Sequence, residues 1–167
     1  SAPNASQSAL PKPSRNAISA PSAPSQTNLS TKNILLKDRK TLLHKNERVQ
    51  ILSPSLNGSL SLLGGRIDDL TLTKYYEELD KTSPAIVLLS PSGSSNAYFA
   101  DYGWIGEGVA LPNENTLWST SSKTLSPGKP VTLKWNNGEG LIFKRTYAID
   151  ENYMFRVSQS VENKGLT

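Results

Sequence analysis

The stretch GGRIDDLTLTKYY, residues 64–76, decides the fold that the sequence predicts. It joins two strand-like runs through the pair Gly64-Gly65, and because glycine permits positive φ, the chain can reverse direction there. Apolar residues recur at even spacings on both sides of this pair, at Leu56, Leu60 and Leu62 before it and at Leu70 and Leu72 after it. Since side chains on a strand alternate between its two faces, the pattern predicts two strands joined by a hairpin turn.

Downstream of this hairpin, turn signals rich in Pro, Gly and Asn recur at short intervals, which is typical of an antiparallel all-β domain. The clearest part is the final meander. Its alternation predicts strands over residues 131–136, 141–149 and 153–161, with the second turn at residues 150–152. We expect these strands to pair antiparallel and to bury three aromatic side chains, those of Trp135, Phe143 and Phe155.

The first 33 residues differ in composition from the rest of the chain. They contain five Pro residues and no Gly, aromatic or acidic residue. Such a segment has too little apolar surface to offset the entropy lost on ordering, so residues 1–33 are predicted to be a disordered linker. Residues 34–47 follow as a connector, for which a short amphipathic helix and an irregular segment are equally compatible with the pattern. Residues 48–167 are predicted to form the β domain.

The net charge argues against a nucleic-acid ligand, although the isoelectric point is near 9.3. Lys12, Arg15 and Lys32 contribute +3 of the formal net charge of +4, so the remainder of the chain is close to neutral. A nucleic-acid interface would need a basic stripe with interleaved aromatic residues, and the sequence has none.

The sequence offers few groups for catalysis or metal binding. It has no cysteine, and its one histidine, His44, lies in the charged connector, where a solvated side chain is expected. Asp68 and Asp69 are adjacent, so on a regular strand they would face opposite sides and could not hold one proton or metal together. We therefore predict no catalytic, cofactor-binding or metal site, and no enzymatic activity.

The aromatic residues between positions 96 and 119 form the one candidate ligand or partner surface, consisting of Tyr98, Tyr102, Trp104 and Trp118. Exposed rings on a β-sandwich could stack on sugar rings or contact a protein partner. The alternative is that these rings fill the end of the sandwich, because large aromatic side chains are more often buried than exposed.

Several segments together resemble the periplasmic domain of the bacterial membrane protein insertase YidC (the YidC/Oxa1 family). The match is spread over many positions from Arg48 to the end of the chain, in residues 48–59, 64–76, 84–91, 98–104, 116–118, 144–155 and 161–165. The resemblance implies an antiparallel β-supersandwich similar to galactose mutarotase. It also implies a domain that continues beyond the position of Thr167, so that this chain would hold an incomplete portion of the sandwich.

The same resemblance implies a place and a role. The domain would lie on the periplasmic side of the inner membrane as the soluble part of a multi-pass protein, tethered through residues 1–33. It would serve a membrane protein insertase and chaperone as a scaffold or docking surface, with Sec translocon components and nascent membrane proteins as partners. A carbohydrate-binding or mutarotase-like domain is the alternative function, although a fold alone does not establish a function.

Overall fold

Two β-sheets form the framework of the described part of the chain, which is residues 38–165 in this computed structural model. A one-turn helix, α1 (Arg39–Leu43), comes first and gives the connector its only helical segment among the described residues. The eight strands are, in chain order, β1 (Arg48–Leu52), β2 (Leu56–Ser61), β3 (Arg66–Tyr76), β4 (Ala85–Leu89), β5 (Thr124–Leu125), β6 (Val131–Asn136), β7 (Leu141–Ile149) and β8 (Phe155–Asn163). The predicted linker over residues 1–33 lies outside the described residues.

The first sheet has five strands in the order β4-β3-β2-β1-β5. All neighbours in it are antiparallel except β1 and β5, which run parallel and pair Gln50 with Thr124 and Ile51 with Leu125. This pair is the exception to the antiparallel pairing that the sequence predicts. Parallel neighbours require a long crossover, and residues 53–123 separate these two strands along the chain.

The turn at Gly64-Gly65 connects β2 to β3, as the sequence predicts. Both glycines have positive φ, 76° at Gly64 and 61° at Gly65. A Cβ atom at Gly65 would also lie 2.9 Å from Trp118 Nε1 and 3.2 Å from Arg145 Nη1. The residue must therefore be glycine for two reasons, its backbone conformation and the close approach of two buried side chains.

Strand β3 carries a bulge that changes the direction of an acidic side chain. Ser59 of β2 pairs with Asp69, but the next residue, Leu60, pairs with Ile67, which leaves Asp68 as an extra residue. The residues that flank the two aspartates, Ile67 and Leu70, both lie in the core. The two carboxylates consequently share the outer face of the sheet, and the prediction that they face opposite sides is wrong.

The second sheet has three antiparallel strands in the order β6-β7-β8. The bounds of β6 and β7 agree with the predicted strands, whereas β8 begins two residues later than predicted, at Phe155. Phe143 is buried as expected, but Trp135 and Phe155 are only half-buried.

One hydrophobic core receives side chains from both sheets and from the long loop between β4 and β5. Its buried members are Val49, Ile51, Leu56, Leu60, Leu62, Ile67, Leu70, Trp118, Leu125, Val131, Leu133, Phe143, Tyr147 and Ile149. They include the evenly spaced leucines on both sides of Gly64-Gly65, apart from Leu72, which packs against the core from a partly buried position. The predicted all-β sandwich is thus confirmed, while its likeness to galactose mutarotase stays a prediction.

Candidate functional site

The centre of strand β7 places a charged side chain inside the core. Arg145 is 1% exposed, although its neighbours in the inward-facing series, Phe143 and Tyr147, are aromatic. Its guanidinium lies against the rings of Trp118 and Tyr102, with 4.9 Å and 5.7 Å from Cζ to the ring centroids. A cation over an aromatic face is stabilised by the ring quadrupole, most strongly where water is excluded.

The hydrogen-bond donors of Arg145 are directed at oxygen atoms of the fold itself. Nη1 donates to the carbonyls of Gly64 at 3.3 Å and Gly65 at 2.9 Å, and Nη2 donates to the carbonyl of Tyr102. With the Gln159 amide oriented so that its oxygen faces the guanidinium, that oxygen accepts from Nε at 3.3 Å and from Nη2 at 3.2 Å. All five N–H groups therefore have an acceptor, which is the condition for burying an arginine.

No carboxylate forms an ion pair with Arg145 within residues 38–165. Its charge is instead compensated by carbonyl dipoles and aromatic faces. Tyr147 completes the cluster, because burial raises the pKa of its hydroxyl and keeps it protonated, and this hydroxyl donates to the Gly65 carbonyl at 2.6 Å. The arrangement joins β7 to the turn between β2 and β3, and it leaves Arg145 no donor for a substrate.

The four aromatic residues predicted as a possible partner surface are distributed between the interior and the surface. Trp118 is 2% exposed and belongs to the core. Tyr102 and Trp104 are half-buried and pack edge-on against Tyr147 and Phe143, with centroid separations of 6.1 Å and 5.0 Å. Tyr98 is the member that faces solvent, with 71% of its surface exposed.

A polar cavity of about 290 Å³ lies on the outer face of the first sheet, beside α1. Arg48 and Asp68 line it and form an ion pair whose side chains are each 8% exposed. Arg48 Nε also donates to the hydroxyl of Ser59, and this hydroxyl donates to Asp69, which pairs in turn with Arg39 of α1. Burial raises the pKa of Asp68, and the nearby charge of Arg48 opposes that effect.

This network ties α1 to the sheet through charge rather than through apolar packing, since α1 has no buried residue. The cavity beside it has the size of a small polar molecule, but Arg48 and Asp68 on its wall already bond to each other. Among residues 38–165, no group of three His, Asp or Glu side chains is placed to bind a metal ion. His44 is exposed, and its Nδ1 lies 2.7 Å from the Lys40 carbonyl.

Comparison with known proteins assigns the β-sandwich to a family. Residues 48–167 match the family model described as the YidC periplasmic domain. A membrane protein insertase YidC from Methylobacterium radiotolerans is 45% identical over 164 residues, which cover 98% of this chain and 26% of that protein. Proteins of the same name from Methylobacterium nodulans and Dinoroseobacter shibae are 51% and 54% identical, over 76% and 70% of this chain and 21% and 20% of their own lengths.

The chain belongs to the YidC periplasmic domain family. The family match begins at Arg48, which is also the first residue of β1, so it coincides with the β-sandwich and excludes α1. The chain spans about a quarter of the length of the M. radiotolerans protein. No helix in the described part of the chain combines the length and apolar character needed to cross a bilayer.

Sequence reasoning missed the two charged networks of this YidC periplasmic domain. Arg145 stands at an inward position of a strand that otherwise alternates regularly, and that position was a signal for a buried charge. The pairing of Arg48 with Asp68 left no comparable signal, because 20 residues separate the two side chains and a bulge turns the second one toward the first.

Proposed function

We propose that this YidC periplasmic domain is a non-enzymatic docking module of a membrane protein insertase. In the full-length protein it would be tethered to the inner membrane and would bind Sec translocon components and nascent membrane proteins. The observation that carries the proposal is the family match over residues 48–167, together with the shared name of the relatives, membrane protein insertase. Insertion itself would belong to other parts of that protein.

The hydrogen-bond partners of the buried polar side chains support a binding role over a catalytic one. A general acid or base must reach a reacting atom within hydrogen-bond distance. Arg145 and Tyr147 donate to the carbonyls of the fold, and Arg48 is occupied by Asp68 and Ser59. These groups stabilise the domain, and their hydrogen bonds would have to break before they could act on a substrate.

The positions of the aromatic rings also weigh against the alternative of a carbohydrate-binding domain. Stacking on sugars requires exposed ring faces. Trp118 lies in the core, and Tyr102 and Trp104 pack against other rings. Of these four candidate rings only that of Tyr98 is exposed, and a single ring does not form a platform.

Tyr98 instead marks the surface that we propose for protein docking. Its backbone pairs with Ser90, the residue directly after strand β4. Val87 and Leu88 of β4 are also exposed, and β4 is an edge strand of the first sheet. Exposed apolar and aromatic side chains on a sheet edge fit a protein partner, because the centres of protein interfaces are enriched in aromatic residues and depleted of charge.

A cross-linking experiment tests this docking surface. A photoreactive amino acid replaces Tyr98 in the full-length insertase, and the matched control places it at Tyr75, which is also exposed but lies at the far end of β3. We expect cross-links to Sec translocon components from position 98 and few from position 75. Equal labelling from both positions would place the docking surface elsewhere.

A deletion experiment tests the division of labour. The full-length protein without residues 48–167 is reconstituted into vesicles and assayed for insertion of a membrane protein. We expect insertion to persist in this minimal system and a defect to appear when translocon components are required, because a polar segment crossing lipid needs a protein surface within the hydrocarbon layer. Complete loss of insertion in the minimal system would contradict the proposal.

A further inference from the structure

The outer face of the second sheet is basic and rich in hydroxyl groups. Strand alternation directs the side chains of Thr132 and Lys134 in β6, Lys144 and Thr146 in β7, and Arg156, Ser158 and Ser160 in β8 away from the core. Lys164 joins them just after β8, because its Nζ lies 3.3 Å from Glu162 on the same face. We call this surface, with its cations Lys134, Lys144, Arg156 and Lys164, the basic face.

Two of these cations are direct neighbours across the strands. Lys134 of β6 pairs in register with Lys144 of β7, and like charges directly opposite each other destabilise a sheet. The carboxylate that offsets them is that of Glu162, which lies 2.7 Å from Lys144 and also contacts Lys164. Four cations against one anion leave a net charge of about +3 on the basic face. Lys134 forms no ion pair within residues 38–165.

A groove beside Lys134 extends the basic face toward the loop before β5. Its volume is about 490 Å³, and its lining consists of Ser119, Thr120, Ser121, Ser122, Pro130, Thr132 and Lys134. Five of these seven residues carry hydroxyl groups and none is acidic. The hydroxyl of Ser119 already donates to the Lys134 carbonyl and that of Thr132 bonds to the Thr146 hydroxyl, which leaves Thr120, Ser121 and Ser122 as the hydroxyl donors for a ligand. Hydroxyl and ammonium donors together suit the oxygen atoms of a phosphate group, which accept several hydrogen bonds and carry the opposite charge.

We propose that the basic face is a docking surface for the phosphate headgroups of an anionic bilayer. The face is about 30 Å long, from the nine residues of its longest strands. It offers cations and hydroxyls, and its apolar outward residues, Ile142 and Ala148, are half-buried. The centre of a protein interface is depleted of charge and enriched in aromatic residues, so a face of this composition fits headgroups better than a folded partner.

The number of cations sets the strength expected of this contact. Clusters of roughly 4–8 basic residues are typical of binding to anionic headgroups. The basic face has four cations and Glu162 offsets one of them, so it lies at the lower end of that range. The free domain would therefore bind an anionic surface weakly, and in the tethered protein the basic face would orient the domain against the membrane. The basic face is distinct from the docking surface at Tyr98, which lies next to β4 in the first sheet.

Vesicle sedimentation of the purified 167-residue chain tests the proposal. Vesicles of phosphatidylcholine alone are compared with vesicles that also contain phosphatidylglycerol. The double variant Lys134→Gln, Lys144→Gln should lower partitioning onto the anionic vesicles by roughly 10- to 30-fold, since each basic residue near such a surface contributes roughly fivefold. The matched control, Lys74→Gln with Lys81→Gln, removes two exposed lysines from the β3–β4 hairpin and should change it by less than about threefold.

A variant with the opposite effect guards against loss of binding through misfolding. Glu162→Gln removes the carboxylate of the basic face and should raise partitioning by roughly two- to fivefold. Equal losses in the two lysine pairs, or equal binding to neutral and anionic vesicles, would overturn the proposal. So would displacement by inorganic phosphate beyond the effect of chloride at equal ionic strength, which would show a site for free phosphate. Binding to an acidic peptide without binding to vesicles would show a protein partner instead.

Discussion

Replacement of Arg145 by methionine should destabilise the domain more than any change to a charge on its surface. Methionine has a similar length and fits an apolar core, so the change removes the guanidinium and leaves little empty volume. What is lost is the set of hydrogen bonds from one side chain to Gly64, Gly65, Tyr102 and Gln159.

The magnitude follows from the acceptors that the variant leaves behind. Gly65 keeps the bond from the Tyr147 hydroxyl. Within residues 38–165, the carbonyls of Gly64 and Tyr102 accept only from Arg145. A buried acceptor without a partner costs about 1–3 kcal/mol, in full at the buried Gly64 and in part at the half-buried Tyr102, so the two together cost about 2–5 kcal/mol. Removal of a buried charge offsets part of this cost, and we expect a net loss of about 2–4 kcal/mol in the free energy of unfolding.

Urea unfolding of the purified chain, followed by tryptophan fluorescence and far-ultraviolet circular dichroism, measures this loss. The matched control is Lys144→Met, one residue earlier on β7 and directed at solvent, which should cost less than about 1 kcal/mol. Arg145→Lys keeps the charge but lacks the planar fork, so it should not restore stability fully. A loss below about 1 kcal/mol for Arg145→Met would refute the view that this arginine holds the turn to β7.

Three further changes have defined outcomes. Gly65→Ala should destabilise the domain by roughly 1–3 kcal/mol, because the new Cβ meets Trp118 at a positive φ. Phe143→Ala should cost about 3–5 kcal/mol in urea unfolding, since the ring is fully buried. Burial raises the pKa of Asp68 above its ordinary 3.8, so the folded state binds a proton more readily than the unfolded state. The stability that this proton confers is present at low pH and is lost as the pH rises through the folded pKa.

Each of these changes has its own control. Gly108 also has positive φ, but no atom lies within 4 Å of a Cβ added there. The difference in stability loss between Gly65→Ala and Gly108→Ala therefore measures the cost of the steric contact. Met154→Ala removes an exposed side chain and should be nearly neutral. For the pH effect, urea unfolding of Asp68→Asn should show less loss of stability than the parent chain as the pH rises above 3.8. Parallel profiles of the two proteins would assign the pH dependence to other groups.

The sequence predicted the strand bounds best where they depend on residues close together along the chain. The alternation of apolar residues gave the bounds of β6 and β7, because alternate burial on a half-covered sheet is a local pattern. The predicted start of β8 was two residues too early, because the pattern did not show how far the preceding turn extends. The carboxylate of Asp150 accepts from the backbone N–H groups of Asn152 and Met154, so the turn extends through Met154 and the strand begins afterwards.

Features that depend on distant segments were beyond the sequence pattern. The parallel pairing of β5 with β1 joins residues more than 70 positions apart, and no local periodicity records it. The bulge at Asp68 inserts one residue in β3, and a single insertion reverses the face predicted for a side chain. The acceptors of Arg145 lie on three different segments, so its burial could be suspected from its inward position but its partners could not.

The same distinction decides which aromatic residues remain available for binding. Tyr98 and Trp118 were equivalent candidates by composition, yet they differ in exposure by 69 percentage points, from 71% to 2%. Trp118 is buried because Gly65 has no Cβ that would clash with its ring and because the guanidinium of Arg145 packs against that ring. The buried charges are likewise taken up by the fold. The two surfaces that we propose for partners, Tyr98 beside the edge of one sheet and the basic face of the other, use side chains that the fold leaves exposed. If a substitution of Arg145 weakens partner binding, it should therefore also lower the free energy of unfolding. A substitution of Tyr98 that weakens binding should leave the free energy of unfolding unchanged.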